Sequence, residues 1–137
     1  NKELFKKTKK KVKFIQDDVS ISKKNVLRGI HGDYKTWKLI TCLEGEFILL
    51  VINNKKNDKE FKKSEFFNLS DKNDIQILVP PGFGNAHYVV SKKAIFHYKQ
   101  STLYERKNQF TIKWNSKDHS LKWPIKKKPI TSKRDHS

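Results

Sequence analysis

The chain has no methionine and a single cysteine, and alanine occurs only at positions 86 and 94. A lone cysteine excludes an internal disulfide, and its place in the run Leu39-Ile40-Thr41-Cys42-Leu43 makes Cys42 a packed strand residue. The lack of methionine even at position 1 implies a chain that begins inside a longer gene product or was processed. No run approaches the roughly 18 apolar residues of a membrane span, and the N-terminus lacks a signal peptide's apolar stretch. A cytoplasmic protein with no membrane partner is expected.

Acidic residues are also few, 14 against 31 Lys and Arg, for a net charge of +17. Such a balance invites a nucleic-acid reading, because a basic protein gains affinity by releasing counterions from phosphates. The distribution argues against it. Lysines are scattered, with dense clusters only at Lys6 to Lys13 and Lys126 to Lys128, and no helix-turn-helix, zinc-finger or RNP pattern accompanies them. Scarce alanine beside abundant Lys, Asn, Ile and Phe reads as a genome-wide compositional bias. Nucleic acid is therefore not the expected partner.

What the chain does have is bulk for one core. Nine Phe, four Tyr and three Trp offset a low hydrophobic fraction, and 137 residues suit one domain, 1–137. From Thr36 onward, β-branched and aromatic runs recur at about 36 to 43, 46 to 52, 65 to 69, 75 to 79, 87 to 91, 94 to 99 and 109 to 114. Polar turns separate them: Glu44-Gly45 as a tight turn, Asn53 to Asp58 as a hairpin loop, and Pro80-Pro81-Gly82 as an abrupt strand end. The spacing predicts an antiparallel sandwich or barrel. The N-terminal Lys-rich stretch reads as a helix or an arm, and the tail after Trp123 as irregular structure with room for a short helix.

The polar residues that could carry chemistry are His31 with Arg28, Lys38, Asn85 with His87, Tyr98, Tyr104 and Asp135. No metal pattern emerges, since His31 is followed by Gly32 and Asp33 rather than a second His. No Ser sits in a nucleophile elbow, and Cys42 is mid-strand. Acid and base chemistry remains. His87, His97, His119 and His136 read as structural or surface residues, and Trp37, Trp114 and Trp123 as core or cleft wall.

Leu27-Arg28-Gly29-Ile30-His31 resembles the Leu-Arg-Gly-Leu-His signature of the dTDP-4-dehydrorhamnose 3,5-epimerase family. Upstream, Phe14-Ile15-Gln16-Asp17-Asp18 with Ser20 and Ser22 is similar to that family's Phe-x-Gln-Asp-Asn segment and its paired serines. Downstream, in the same order, come Lys38-Leu39, Pro81-Gly82-Phe83, Tyr98-Lys99, Tyr104, Trp114-Asn115, Trp123-Pro124 and Ser132-Lys133-Arg134-Asp135. The likeness spans Phe14 to Asp135. It implies an all-β, cupin-type jelly-roll barrel with short peripheral helices, acting without a cofactor or metal as a homodimer on a nucleoside-diphosphate 4-keto sugar.

The chemistry such enzymes perform explains the residue types. A ketone at C4 acidifies the protons on C3 and C5, yet an imidazole still faces a gap of about 12 pK units, or ~17 kcal/mol. A cation near the enolate oxygen in a water-poor cleft recovers roughly 2.7 to 4 kcal/mol of it, and Lys38 is the candidate. The resemblance makes His31 the general base and Asp135 the partner that fixes its tautomer. It makes Tyr104 the acid that returns a proton to the opposite face, and it places Arg28, Gln16, Asp18, Asn85 and Tyr98 among substrate-binding residues.

The sequence also departs from the family. Asn85 stands where the family has a His, and His87 where it has an aromatic residue. Gly32-Asp33 replaces Tyr-Gln, and Ser116-Lys117 replaces the acidic residues of a Trp-Asn-Asp-Pro turn. These variants look more like epimerases of nucleotide-linked 4-keto heptoses or related surface sugars. The family also carries a further N-terminal segment, apparently missing here, whose strands and Arg are exchanged between subunits. The competing readings are a sugar-nucleotide 3,4-ketoisomerase on the same barrel and a non-catalytic basic cupin module.

Overall fold

The structure, a computed structural model, describes residues 12–132. Nine strands run in chain order: β1 Gln16–Lys23, β2 Leu27–Gly32, β3 Lys38–Glu44, β4 Glu46–Asn53, β5 Ser64–Ser70, β6 Gln76–Val79, β7 Phe83–Val89, β8 Lys93–Gln100 and β9 Phe110–Thr111. Between β8 and β9 lies a single turn of 3-10 helix, Arg106–Asn108. A four-stranded sheet has the order β1-β8-β3-β6, and a five-stranded sheet the order β5-β4-β7-β2-β9. All their pairings are antiparallel, so the expected all-β sandwich of the jelly-roll type is the architecture observed.

Strict alternation positions the core. Ile40 and Cys42 of β3, Phe47 and Leu49 of β4, Leu69 of β5, Val79 of β6, Val89 of β7, and Ala94 and Phe96 of β8 fill the space between the sheets. Each large side chain so buried stabilises the fold by ~1.5–3 kcal/mol. The outer face of the five-stranded sheet is covered as well, because Ile30, Leu50, Ile52 and Ala86 pack under Ile112, with Phe110, Leu121 and Trp123 from the C-terminal segment. Cys42 is 5% exposed, as its run predicted, and burial pushes its thiol up to about 11.

Glu44-Gly45 is a corner rather than a hairpin turn, since β3 and β4 belong to different sheets. Gly45 takes φ +83° there, and a Cβ would strike the Lys93 carbonyl, so only glycine fits. The loop from Asn53 does close a hairpin, between β4 and β5. The 87 to 91 run proves to be the second half of a strand that starts at Phe83, directly after Gly82 with φ +87°. The 109 to 114 run pairs over only two residues, and residues after Trp123 form no helix among those described.

Two strands lie ahead of the region where sequence periodicity begins. In β1 the pattern is inverted: Gln16, Asp18, Ser20 and Ser22 are the more buried set, while Val19 and Ile21 are 57% and 61% exposed. Alternation of that sign reads as a polar segment unless a polar cavity lies inside the barrel. The Lys-rich stretch up to residue 11 and the tail from 133 lie outside the described residues.

Candidate active site

A cavity of about 220 Å³ opens between the sheets, walled by β1, β2, β3, β7, β8 and the loop that follows β8. Arg28 and His31 line it together, although residues three apart on a regular strand point to opposite faces. The register explains how. Arg28 pairs with His87 and His31 with Asn85, three steps on β2 against two on β7, so one extra residue is accommodated in between. Gly29 sits in that irregularity at φ +117°, where a Cβ would lie 2.6 Å from the Asn85 carbonyl oxygen and 2.7 Å from Ala86 Cα. The motif Arg-Gly-Ile-His thus turns both polar side chains inward and sends Ile30 to the outer cluster.

From the opposite sheet, Lys38 of β3 reaches the same cavity and is 8% exposed. Its Nζ donates to Asn85 Oδ1 at 3.3 Å and stands 5.6 Å from the Tyr98 ring centroid. Asp18 and Tyr98 face each other across β1 and β8, and both line the cavity, as does Tyr104 from the loop. Arg28 Nε donates to Ser22 Oγ at 2.9 Å, which fixes its guanidinium against β1. Two cationic groups and one carboxylate therefore border a single cleft, a field that favours an anionic ligand.

The His31 ring is held from behind. Its Nδ1 lies 3.3 Å from Thr111 Oγ1, and β9 pairs Thr111 directly opposite His31. That strand is anchored by Ile112, whose backbone exchanges hydrogen bonds with Ile30, and by Phe110, whose ring fills the space above Gly32 and Gly84. A Cβ at Gly84 would stand 3.0 Å from this ring. Thr111 Oγ1 thereby ties one ring nitrogen of His31 to β9 and helps to fix the plane of the imidazole.

The structure therefore gathers His31, Lys38, Arg28, Asp18, Asn85, Tyr98 and Tyr104 around one cavity. Gln16 stands beside it, donating from Nε2 to Asp18 Oδ2 at 3.2 Å and accepting from the Tyr104 backbone N–H at 2.9 Å. Asp135 lies outside the described residues. Thr111, Phe96 and Gln109 adjoin the site without having been singled out, the first two becoming visible only through strand register, and Ser20 of the paired serines lines it too. His87 is buried and stacked on Phe96, with centroids 4.1 Å apart, and both rings line the cleft. Among the described residues no cluster of His, Cys, Asp and Glu could hold a metal ion, and none of the helices is long and apolar enough to cross a membrane.

Residues 1–137 match the family model described as dTDP-4-dehydrorhamnose 3,5-epimerase. The enzyme of that name from Shigella flexneri is 35% identical over 129 residues, which cover 92% of this chain and 71% of that protein. The crystal structure of dTDP-4-dehydrorhamnose 3,5-epimerase from Elizabethkingia anophelis superposes with a TM-score of 0.94 at 32% identity, covering 99% of this chain and 77% of that one. A second crystal structure, the dTDP-6-deoxy-D-glucose-3,5-epimerase of Legionella pneumophila with dTDP-4-keto-L-rhamnose, gives 0.92 at 29% identity over 98% of this chain and 72% of that one. Profile, identity and cavity agree, and the chain belongs to the dTDP-4-dehydrorhamnose 3,5-epimerase family of cupin-type isomerases.

Proposed function

We propose that this chain inverts C3, C5 or both in a nucleoside-diphosphate 4-keto-6-deoxy sugar or 4-keto heptose. The observation that carries this is the convergence of His31, Lys38 and two tyrosines on one cavity. His31 takes the proton from the carbon beside the C4 ketone, and the C–H electron pair moves into an enolate. Lys38 faces the enolate oxygen and offsets its charge. A phenol across the cavity then protonates the same carbon from the opposite face, leaving the inverted ketone. Asp135 is proposed to support the imidazolium, and Arg28 to contact the diphosphate. No redox or Lewis-acid step is needed.

The resemblance assigns the donor phenol to Tyr104. A second reading gives it to Tyr98, because Tyr98 is fixed on β8, is less exposed than Tyr104 at 41%, and has the Lys38 ammonium above its ring to offset the negative charge left on the phenolate when its proton departs. Ring-proton couplings of the product, followed for Tyr98→Phe and Tyr104→Phe, separate the two. The donor's variant loses inversion by about 10²–10⁴-fold while the carbon next to the ketone still exchanges its proton from the His31 side. The other variant keeps inversion. Absence of any inverted product from wild-type protein and several 4-keto sugar nucleotides overturns the epimerase proposal itself.

The proposed assembly is a homodimer, and the proposed location is the cytoplasm, where a membrane-impermeant sugar nucleotide meets its enzymes. The dimer is supported by the outer face of the four-stranded sheet, on which Val19, Ile21 and Leu43 are all more than half exposed. Sedimentation equilibrium should give twice the chain mass, and Ile21→Lys should lower it. A wild-type mass of one chain contradicts the dimer.

A further inference from the structure

We infer that Asp33 clamps the crossover between the two sheets and so positions Lys38 against the cavity; this deepens the epimerase reading above and rests on it. β2 ends at Gly32 in the five-stranded sheet and β3 begins at Lys38 in the four-stranded one. Residues 33–37 therefore carry the chain from the wall that holds His31 to the wall that holds Lys38. The Asp33 carboxylate organises that short span. Its Oδ1 accepts the backbone N–H groups of Lys35 at 2.9 Å and Thr36 at 2.7 Å, and its Oδ2 accepts the Thr36 hydroxyl at 2.7 Å. The Asp33 carbonyl accepts the Gly82 N–H at 2.8 Å, which ties the crossover to the residue before β7.

Proton counting fixes the far end of the clamp. A carboxylate only accepts, so the single Thr36 proton goes to Asp33, and the Thr102 hydroxyl must be the donor in the 2.5 Å contact between the two threonines. Thr102 is itself tied to β8, because its carbonyl accepts from Gln100 Nε2 at 2.8 Å. Trp37 adds a separate bond, its N–H donating to Ser101 Oγ at 2.9 Å. Thr36 is 5% exposed and stands two residues before Lys38, so it opens the inward row Thr36, Lys38, Ile40 and Cys42. Fixing Thr36 sets where that row starts. Asn85 meets the Lys38 ammonium at its tip, and the clamp supplies the backbone position from which it reaches. A displacement of about 1 Å at such a group costs up to ~10²-fold in rate.

A double-mutant cycle on conversion of a dTDP-4-keto-6-deoxy sugar, read beside amide hydrogen exchange, tests the clamp. Asp33→Ala should lower kcat by about 10- to 100-fold with KM changed less than about threefold. Thr36→Val, which keeps the shape and loses the hydroxyl, should act in the same direction, and Thr36→Ser should recover most of the loss. In a Lys38→Met background, Asp33→Ala should add less than about threefold, since the group it positions is gone. The Trp37 amide, which bonds to Ser101 and not to Asp33, should exchange about tenfold faster in Asp33→Ala if the carboxylate holds the whole crossover. Losses that multiply with Lys38→Met, a rise in KM in place of the fall in kcat, or unchanged exchange at Trp37 would overturn the clamp. Wild-type protein that turns over no sugar nucleotide, with Trp37 exchange still quickened by Asp33→Ala, removes the epimerase reading and supports the clamp on the crossover.

Discussion

His31→Ala should lower kcat/KM for the 4-keto sugar nucleotide by about 10²–10⁴-fold, with little change in the melting temperature. The size of the loss follows from the barrier. Removing a proton next to a ketone is uphill by ~17 kcal/mol even with imidazole as acceptor, and the alanine variant leaves only water or buffer in its place. The stability should hold because His31 is partly exposed on the cavity wall, whereas its neighbour Ile30 is the residue that enters the packed outer cluster. Added imidazole should restore part of the rate, since the substitution vacates a ring-sized volume bordering the cleft. Steady-state kinetics over a range of imidazole concentrations checks both statements. Wild-type turnover by His31→Ala contradicts the assignment.

Lys38→Met should cost about 10²–10³-fold in kcat with a small change in KM, because the interaction removed strengthens only as negative charge develops on oxygen. Its effect on folding should have the opposite character. Lys38 is 8% exposed, and an apolar chain of similar volume in its place avoids the desolvation cost of a buried ammonium. A lower kcat in a protein that melts at the same or a higher temperature therefore marks a residue held for chemistry. The Asn85 carbonyl, 3.3 Å from Nζ, would lose its donor in this variant, which limits the gain in stability. Equal losses in kcat and in thermal stability would point instead to a packing role.

The strands from β3 onward were legible because runs of β-branched and aromatic residues recur between polar turns. This holds whether one face is dry, as in β3, or both are, as in β4 and β7. β1 was illegible because it offers no such run. Its inner face meets the polar cavity through Asp18 and Ser20, and its outer face presents Val19 and Ile21. In β2 the extra residue around Gly29 breaks the alternation that would have announced a strand. Yet that irregularity is what brings Arg28 and His31 to one side, so the stretch hardest to read as secondary structure holds the most specific motif.

The site divides in a similar way. His31, Lys38, Arg28, Tyr98 and Tyr104 were identified by their order along a family pattern, and they share a cavity. Thr111 behind His31 and Gln100 behind Gln16 were not, because they matter through cross-strand neighbours 80 and 84 positions away in sequence. No local pattern encodes such a pairing.

Solvent isotope uptake tests the central claim most directly. With wild-type protein and a dTDP-4-keto-6-deoxy sugar in deuterium oxide, NMR should show deuterium entering at C3, C5 or both, at a rate that collapses in His31→Ala. Product formation with the original hydrogens retained, or uptake that is indifferent to His31, contradicts enolisation by this imidazole.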